Sequence, residues 1–532
     1  MTTALAAREE LMTPALRCEG CVTSAVARPF RSRIVADTWL VMCPGCSLLH
    51  HARAESSRYR ALSFRMRPTV LPSLMLRRLL SLLILAAPAC VPLGTPITDP
   101  NAGRVGQASP VQAPRANQQL RFEDATYDPD IQSVQCYVST GQATEVFTAP
   151  VVPLEQAGGI LLEFDLLGDQ SRRLTARLVH CNADWSPSVL TDLQFLNEIN
   201  EFNLTNYRTS VGTQVPYYHY RLPVPGPKIS GNFLLVVQDA NTRQPLISRR
   251  LLVYQNLVEV QAQLGLAPGG SARYTMQQID FAIRYGAYPL VNPAVETRVV
   301  LRQNFRWDNA HYNLRPTFVR DAEQRLDYQY FNFENAFPAL NEFRFADIRS
   351  LRTNGVGVER LDMQASPREV RLLPETTRGG RSYTQYEDAD GQRVFENREY
   401  GNGATNADYV WTTFQLRAES PAPGPVYVFG ALTDWKLLPD FKLSYNAEQQ
   451  LYTGRALLKQ GYYNYYYVVG QAGGAAPDAG YFEGSYQLTE NQYDILVYYR
   501  PPGTRTDLII GYRPLVVNGQ QVRTNTQSGI FR

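Results

Sequence analysis

A chain of 532 residues exceeds what one hydrophobic core supports, because cores stop growing at about 250–300 residues, so about two to four domains are expected. Apolar residues at 44% and charged residues at 19% exclude a disordered chain. Of the 52 basic residues 12 precede position 90, against 5 of the 49 acids, so the body is slightly acidic and offers nucleic acid no basic footprint.

The first elements read as an address. Cys18 and Cys21 form C-E-G-C, and Cys43 and Cys46 form C-P-G-C. That spacing suits a tetrahedral four-cysteine zinc site. An export signal comes next, however: Arg77 and Arg78 precede an apolar run at 79–87, and small residues lead to Cys90. A metal-binding domain ahead of such a signal is out of place. Residues 1–65 are therefore read as a disordered leader upstream of a true start at Met66 or Met75, and no metal or other cofactor is expected. Within 66–90 the run is too short to span a bilayer as a helix. Cys90 is the candidate lipid anchor of a lipoprotein signal, although Ala87 stands where such signals carry leucine. Acylation at Cys90 and ordinary cleavage nearby both remain open. Residues 91–118, rich in Pro, Gly, Gln and Ala, form a flexible linker.

From 119 the chain reads as all-β: about three Ig-like β-sandwich domains in tandem. The 32 tyrosines and 22 phenylalanines suit the half-buried surface of sheets. The first sandwich, 119–256, contains G-N-F-L-L-V-V-Q at 231–238 and L-I-S-R-R-L-L-V-Y at 246–254, a hairpin joined through D-A-N-T-R-Q-P. Runs at 161–164 and 174–181 supply partner strands, and 190–196 has room for a helical turn. Cys136 and Cys181 are either a disulfide or two free thiols. A second β domain, 257–374, holds strand patterns at 279–285, 296–303 and 341–348. Residues 375–408 are a long polar loop or hairpin tip. The third unit, 409–515, shows hairpin patterns through 451–457, 462–469 and 493–499, and a tail closes the chain at 516–532.

No catalytic chemistry is legible. His180, His219 and His311 are each isolated, and no nucleophile, phosphate-loop, zinc-protease or dinucleotide motif is present. The chain is read as non-enzymatic. V-Y-V-F-G-A-L-T-D-W-K at 426–436 resembles the early-set and carbohydrate-binding-module sandwiches of starch- and glycogen-active proteins. Trp435 is then either a glycan-stacking residue or, with Gly430 turning the chain before it, a core residue between sheets.

Several long, compositionally unusual stretches carry a broader resemblance: H-C-N-A-D-W-S-P-S (180–188), N-E-F-N-L-T-N-Y (200–207), Q-N-F-R-W-D-N-A (303–310), N-E-F-R-F-A-D-I-R-S-L-R (341–352) and Q-Y-D-I-L-V-Y-Y-R-P-P-G (492–503). With these, residues 119–515 resemble the plug family of the type 9 secretion system. The resemblance implies a periplasmic protein at the inner face of the outer membrane, capping a very large β-barrel translocon, its expected partner. Neither nucleic acid nor a small-molecule substrate is implied. Interfaces favour Tyr and Arg, which makes Arg344, Arg349, Arg352, Tyr462 and Tyr465 the contact candidates. The opposing reading pairs Arg349 with Asp347 internally and puts alternate tyrosines in the core. The alternative function is an envelope glycan-binding protein using Trp435.

Overall fold

The computed structural model describes residues 119–519 apart from 143, 144 and 402, together with a short antiparallel pair, Ile34–Val35 and Thr38–Trp39. The zinc-like cysteines Cys18, Cys21, Cys43 and Cys46, the export signal with Cys90, and the linker at 91–118 lie outside the described residues.

The continuous apolar run F-L-L-V-V lacks the alternation of a strand with one wet face, and the strand Gly231–Asp239 is indeed buried along nearly its whole length. It pairs with Pro245–Tyr254 as the expected hairpin, Phe233 opposite Leu251, and with Leu174–Cys181 on its other side. Ala125–Thr126 and Phe202–Asn203 extend this sheet. The facing sheet orders Ile131–Val138, Ile160–Leu167, Tyr217–Pro223 and Tyr207–Thr209. Ile160–Leu167 and Leu174–Cys181 thus lie in opposite sheets, and the turn between them crosses the sandwich. Phe164 stacks on Tyr220 at 5.2 Å in the core, with Phe233, Leu235 and Val237 from the facing sheet. Cys136 and Cys181 also sit in opposite sheets and are free thiols. Burial pushes each up to about 12.

Strand membership beyond 257 does not follow chain order. One sheet runs Glu259–Gly265, Met276–Arg284, Arg325–Tyr328 and Phe318–Arg320, with Ala336–Pro338 also on Met276–Arg284. Facing it, Thr297–Gln303 pairs with His311–Leu314 and with Asn491–Tyr499, which in turn pairs with Leu508–Val517. The C-terminal hairpin therefore completes the second sandwich. Conversely Arg344–Asp347, from the middle of the chain, pairs with Gly461–Val469 in the third, ten-stranded assembly. Its side chain explains the move, since the carboxylates that Arg344 needs, Glu375 and Glu483, lie there. The polar stretch after 375 is pinned as well: Glu375–Thr376 pairs with Tyr409–Arg417 and Arg393–Phe395 with Gly461–Val469. Among the described residues the α-helices are single turns of four residues, Asp192–Phe195 being one, and none is long and apolar enough to cross a membrane.

The first and second sandwiches share an inner layer. Phe233, Leu235 and Val237 face the first core, whereas Leu234 and Val236 face outward onto Val300, Leu496, Tyr498 and Ile509. Asn491–Tyr499 does the same from the other side, with Ile495 and Val497 in the second core. Four sheets are stacked in consequence. Truncating either face of Gly231–Asp239 should then cost alike. Leu234→Ala and Leu235→Ala are each expected to lose about 2–5 kcal/mol in urea unfolding. A loss below about 0.5 kcal/mol at Leu234, the size of an ordinary surface change, would contradict the shared layer.

Candidate functional site

Four of the five contact candidates are interior. Arg344 lies opposite Tyr465 across the strand pair and is only 5% exposed. Its Nε donates to Glu483 Oε1 at 2.8 Å, its Nη1 to Glu375 at 3.2 Å and its Nη2 to the Thr376 carbonyl at 2.9 Å. Glu483, on the helical turn Gly480–Glu483, also accepts from Arg378 Nε at 2.7 Å and from the Tyr467 backbone N–H at 3.0 Å. Burial pushes the Glu483 carboxyl up, but Arg344 and Arg378 outweigh it and hold the group below its ordinary value. Arg349 clasps Asp347 with Nε and Nη2 at 2.9 and 2.8 Å and reaches Glu396 at 3.1 Å. Tyr465 donates to Glu375 at 2.8 Å, and Tyr462 stacks on Phe345 with ring centroids 5.6 Å apart.

Arg344, Arg349, Tyr462 and Tyr465 are therefore not surface anchors. Each finds inside the protein the partner that an anchor would seek outside. Only Arg352 of the five is exposed, its guanidinium 6.0 Å above the ring of the exposed Tyr400.

Trp435 is a half-buried packing residue that also lines a cavity. Arg306 lies over its ring at 4.3 Å, while Phe429 and Phe343 meet it edge-on. Gly391, at φ +80°, lets the chain pass; a Cβ there would stand 2.4 Å from the indole. The Arg306 guanidinium thus covers one face of the indole.

The three histidines serve separate places. His180 is buried against Phe195 and Phe233, and desolvation draws it down to about 4. The His311 ring nitrogen Nδ1 bonds the Glu334 carbonyl at 2.5 Å. Among the described residues no group of three or more His, Cys, Asp or Glu could hold a metal ion.

Sequence reasoning missed a buried network centred on Asp165. The side chain sits at 0% exposure inside the first sandwich's sheet. It accepts from Lys459 Nζ at 2.6 Å, from the Tyr409 hydroxyl at 2.7 Å and lies 2.8 Å from His219 Nδ1. Lys459 and Tyr409 belong to the third assembly, so the network ties it to the first sandwich. Tyr217 reinforces the tie by donating to the Ala407 carbonyl at 2.8 Å. A carboxylate within the apolar run I-L-L-E-F-D-L-L is the signal that could have flagged it.

Burial draws Lys459 below its ordinary value despite Asp165 beside it. Burial also works against a charged His219, but its bonds to Asp165 and Glu163 prevail and raise it. Removing one partner of a buried pair strands the other, so Lys459→Met is expected to cost about 3–5 kcal/mol by chemical denaturation. His219, raised on folding, contributes stability that is complete below about pH 6.5 and is lost as pH rises through its folded value. In the wild type the urea midpoint should carry a component that falls with rising pH across that window. His219→Gln should lack this component.

Residues 131–255, from the first long strand of the sandwich to the end of its hairpin, match the family model described as type 9 secretion system plug protein 1st domain. Among solved structures, a hypothetical protein from Parabacteroides merdae is similar at 30% identity, with 75% of this chain and 100% of that chain covered and a TM-score of 0.69. No curated protein matches. With the first sandwich matched by the family model and a 30%-identical relative covered along its whole length, the chain belongs to the type 9 secretion system plug protein family.

Proposed function

We propose that this protein is a non-enzymatic periplasmic plug, held at the inner face of the outer membrane, that caps the periplasmic opening of a giant β-barrel translocon. The observation that carries the reading is the plug-family match over 131–255. The physical need is direct. A barrel wide enough for folded cargo encloses an aqueous channel that leaks solutes when idle. A cover needs shape and stiffness and no reaction. Sheets buried on both faces and tied by buried ion pairs supply that stiffness, because such packing has few alternative arrangements. Arg352 with Tyr400 is the surface pair put forward as a contact with the translocon, and acylation of Cys90 as the tether. The packing of Trp435 against Arg306, Phe343 and Phe429 favours its role as a core residue over glycan stacking.

Affinity purification of the tagged protein from detergent-solubilised envelopes is expected to recover a very large outer-membrane barrel. A strain lacking the protein should admit bulky dyes that the parent excludes. Recovery of the protein alone, with unchanged dye exclusion, would refute the plug. Labelled fatty acid should be incorporated into the wild type and not into Cys90→Ser; equal labelling of both would remove the tether. Titration with α-glucans should show no saturable binding.

A further inference from the structure

The first sandwich, the second sandwich and the third assembly meet around a cavity of ≈ 510 Å³. That volume lies within the range of about 300–1,000 Å³ typical of small-ligand sites. Its walls alternate apolar groups, such as Val134, Leu252 and the rings of Trp307 and Trp435, with charged ones. Thr148 and Tyr312 at its rim are exposed, so the cavity opens to solvent.

The charges do not balance pairwise. Arg249, Arg250, Arg302, Arg393 and Lys436 line the space. Lys436 has Glu123 at 3.0 Å, and Arg302 has Asp494 directly opposite it in the strand register, Nε to Oδ1 at 2.9 Å. Arg249 has Asp434 at 3.0 Å. Arg250 spends its guanidinium on the Phe122 carbonyl and on the faces of Trp185 and Trp307, at 4.4 and 5.1 Å. Arg393 is left. Its Nη2 donates to the Val134 carbonyl at 2.7 Å, and its nearest carboxylate is Asp434 at 4.0 Å, already engaged by Arg249. The Arg393 side chain is only 11% exposed.

The remaining wall carboxyls are turned to other partners: Asp308 is clasped by Arg306 at 2.6 Å, and Asp124 accepts from the Arg250 backbone N–H at 2.7 Å. Burial pushes the Asp124 carboxyl above its ordinary value, against the pull of Arg249 and Arg250 beside it. Burial likewise draws Arg393 below its ordinary value, the mark of a guanidinium short of a partner. A buried cation needs pairing or solvation, and a planar guanidinium matches a carboxylate by a two-pronged hydrogen bond. The aromatic and aliphatic walls beside it suit an apolar body.

We propose that this cavity binds a carboxylate-bearing ligand with an apolar or aromatic body, the carboxylate seated on Arg393. The chemistry is shared by a free aromatic acid and by the C-terminal end of a peptide. The site is independent of the plug reading, which rests on neither the cavity nor Arg393.

The test is calorimetric titration of the full chain with two matched pairs of probes. One pair is indole-3-acetate and indole-3-acetamide. The other is N-acetyl-Leu-Phe with a free carboxylate and the same peptide as its C-terminal amide. At least one acid is expected to bind about tenfold more tightly than its amide, the size of one charge-assisted hydrogen bond. Preference for the peptide acid would identify a chain end as the source, and preference for the indole acid a small molecule. Arg393→Gln should abolish the acid-over-amide difference. Because Arg393 also bonds Val134, Thr148→Trp at the exposed rim serves as a second variant, and it should block both acids without touching a buried charge. No binding of either acid, equal affinity for acid and amide, or acid binding unchanged in both variants would overturn the proposal.

Discussion

The structure depends on two strands that are buried on both faces. Gly231–Asp239 and Asn491–Tyr499 each lend one row of side chains to their own sandwich and the other row to a shared layer. Such a strand has no wet side on which to leave a polar atom. The polar residues it carries must therefore be paired within the protein. Asn232 accepts from the Tyr498 hydroxyl at 2.8 Å across the shared layer, and Asp494 is clasped by Arg302. These bonds also set register, because a slip of one residue would exchange the two rows and strand each pair.

Buried charge extends the same logic to the third assembly. Asp165 with Lys459 and Glu483 with two arginines are positions where desolvation is severe and only complete pairing compensates it. An apolar contact would hold the sheets as firmly, but it would tolerate sliding. A carboxylate fixed by three directional partners does not. For a protein whose proposed task is to present one shape to a large opening, that intolerance matters more than the net stabilisation.

Legibility in the sequence followed the range of the interaction. Strand patterns, the hairpin at 231–254 and the helical turn near 192 were readable because alternation, turn residues and caps act within a few positions. The stretch 341–348 also read correctly as β-rich, but its destination did not, because pairing with 461–469 is a contact across more than a hundred residues. The interface candidates failed for a related reason. Arg and Tyr are enriched both in interfaces and in satisfied interiors, and residue type alone does not say on which side of the surface a side chain ends. Arg349 and Asp347 were close enough in sequence for the internal pair to be foreseen, whereas Arg344 and Glu483 were not.

By itself the sequence determined the β class, the absence of recognisable catalytic motifs and, through long unusual stretches, the resemblance to the plug family. These depend on composition and local order. Only the tertiary structure decided that the C-terminal hairpin completes the second sandwich, that four of the five contact candidates are interior, and that Arg393 lines a cavity and shares the distant Asp434 with Arg249. Each of those outcomes is a matter of which distant groups remain available once water is expelled, and that is settled by packing and not by any neighbouring residue.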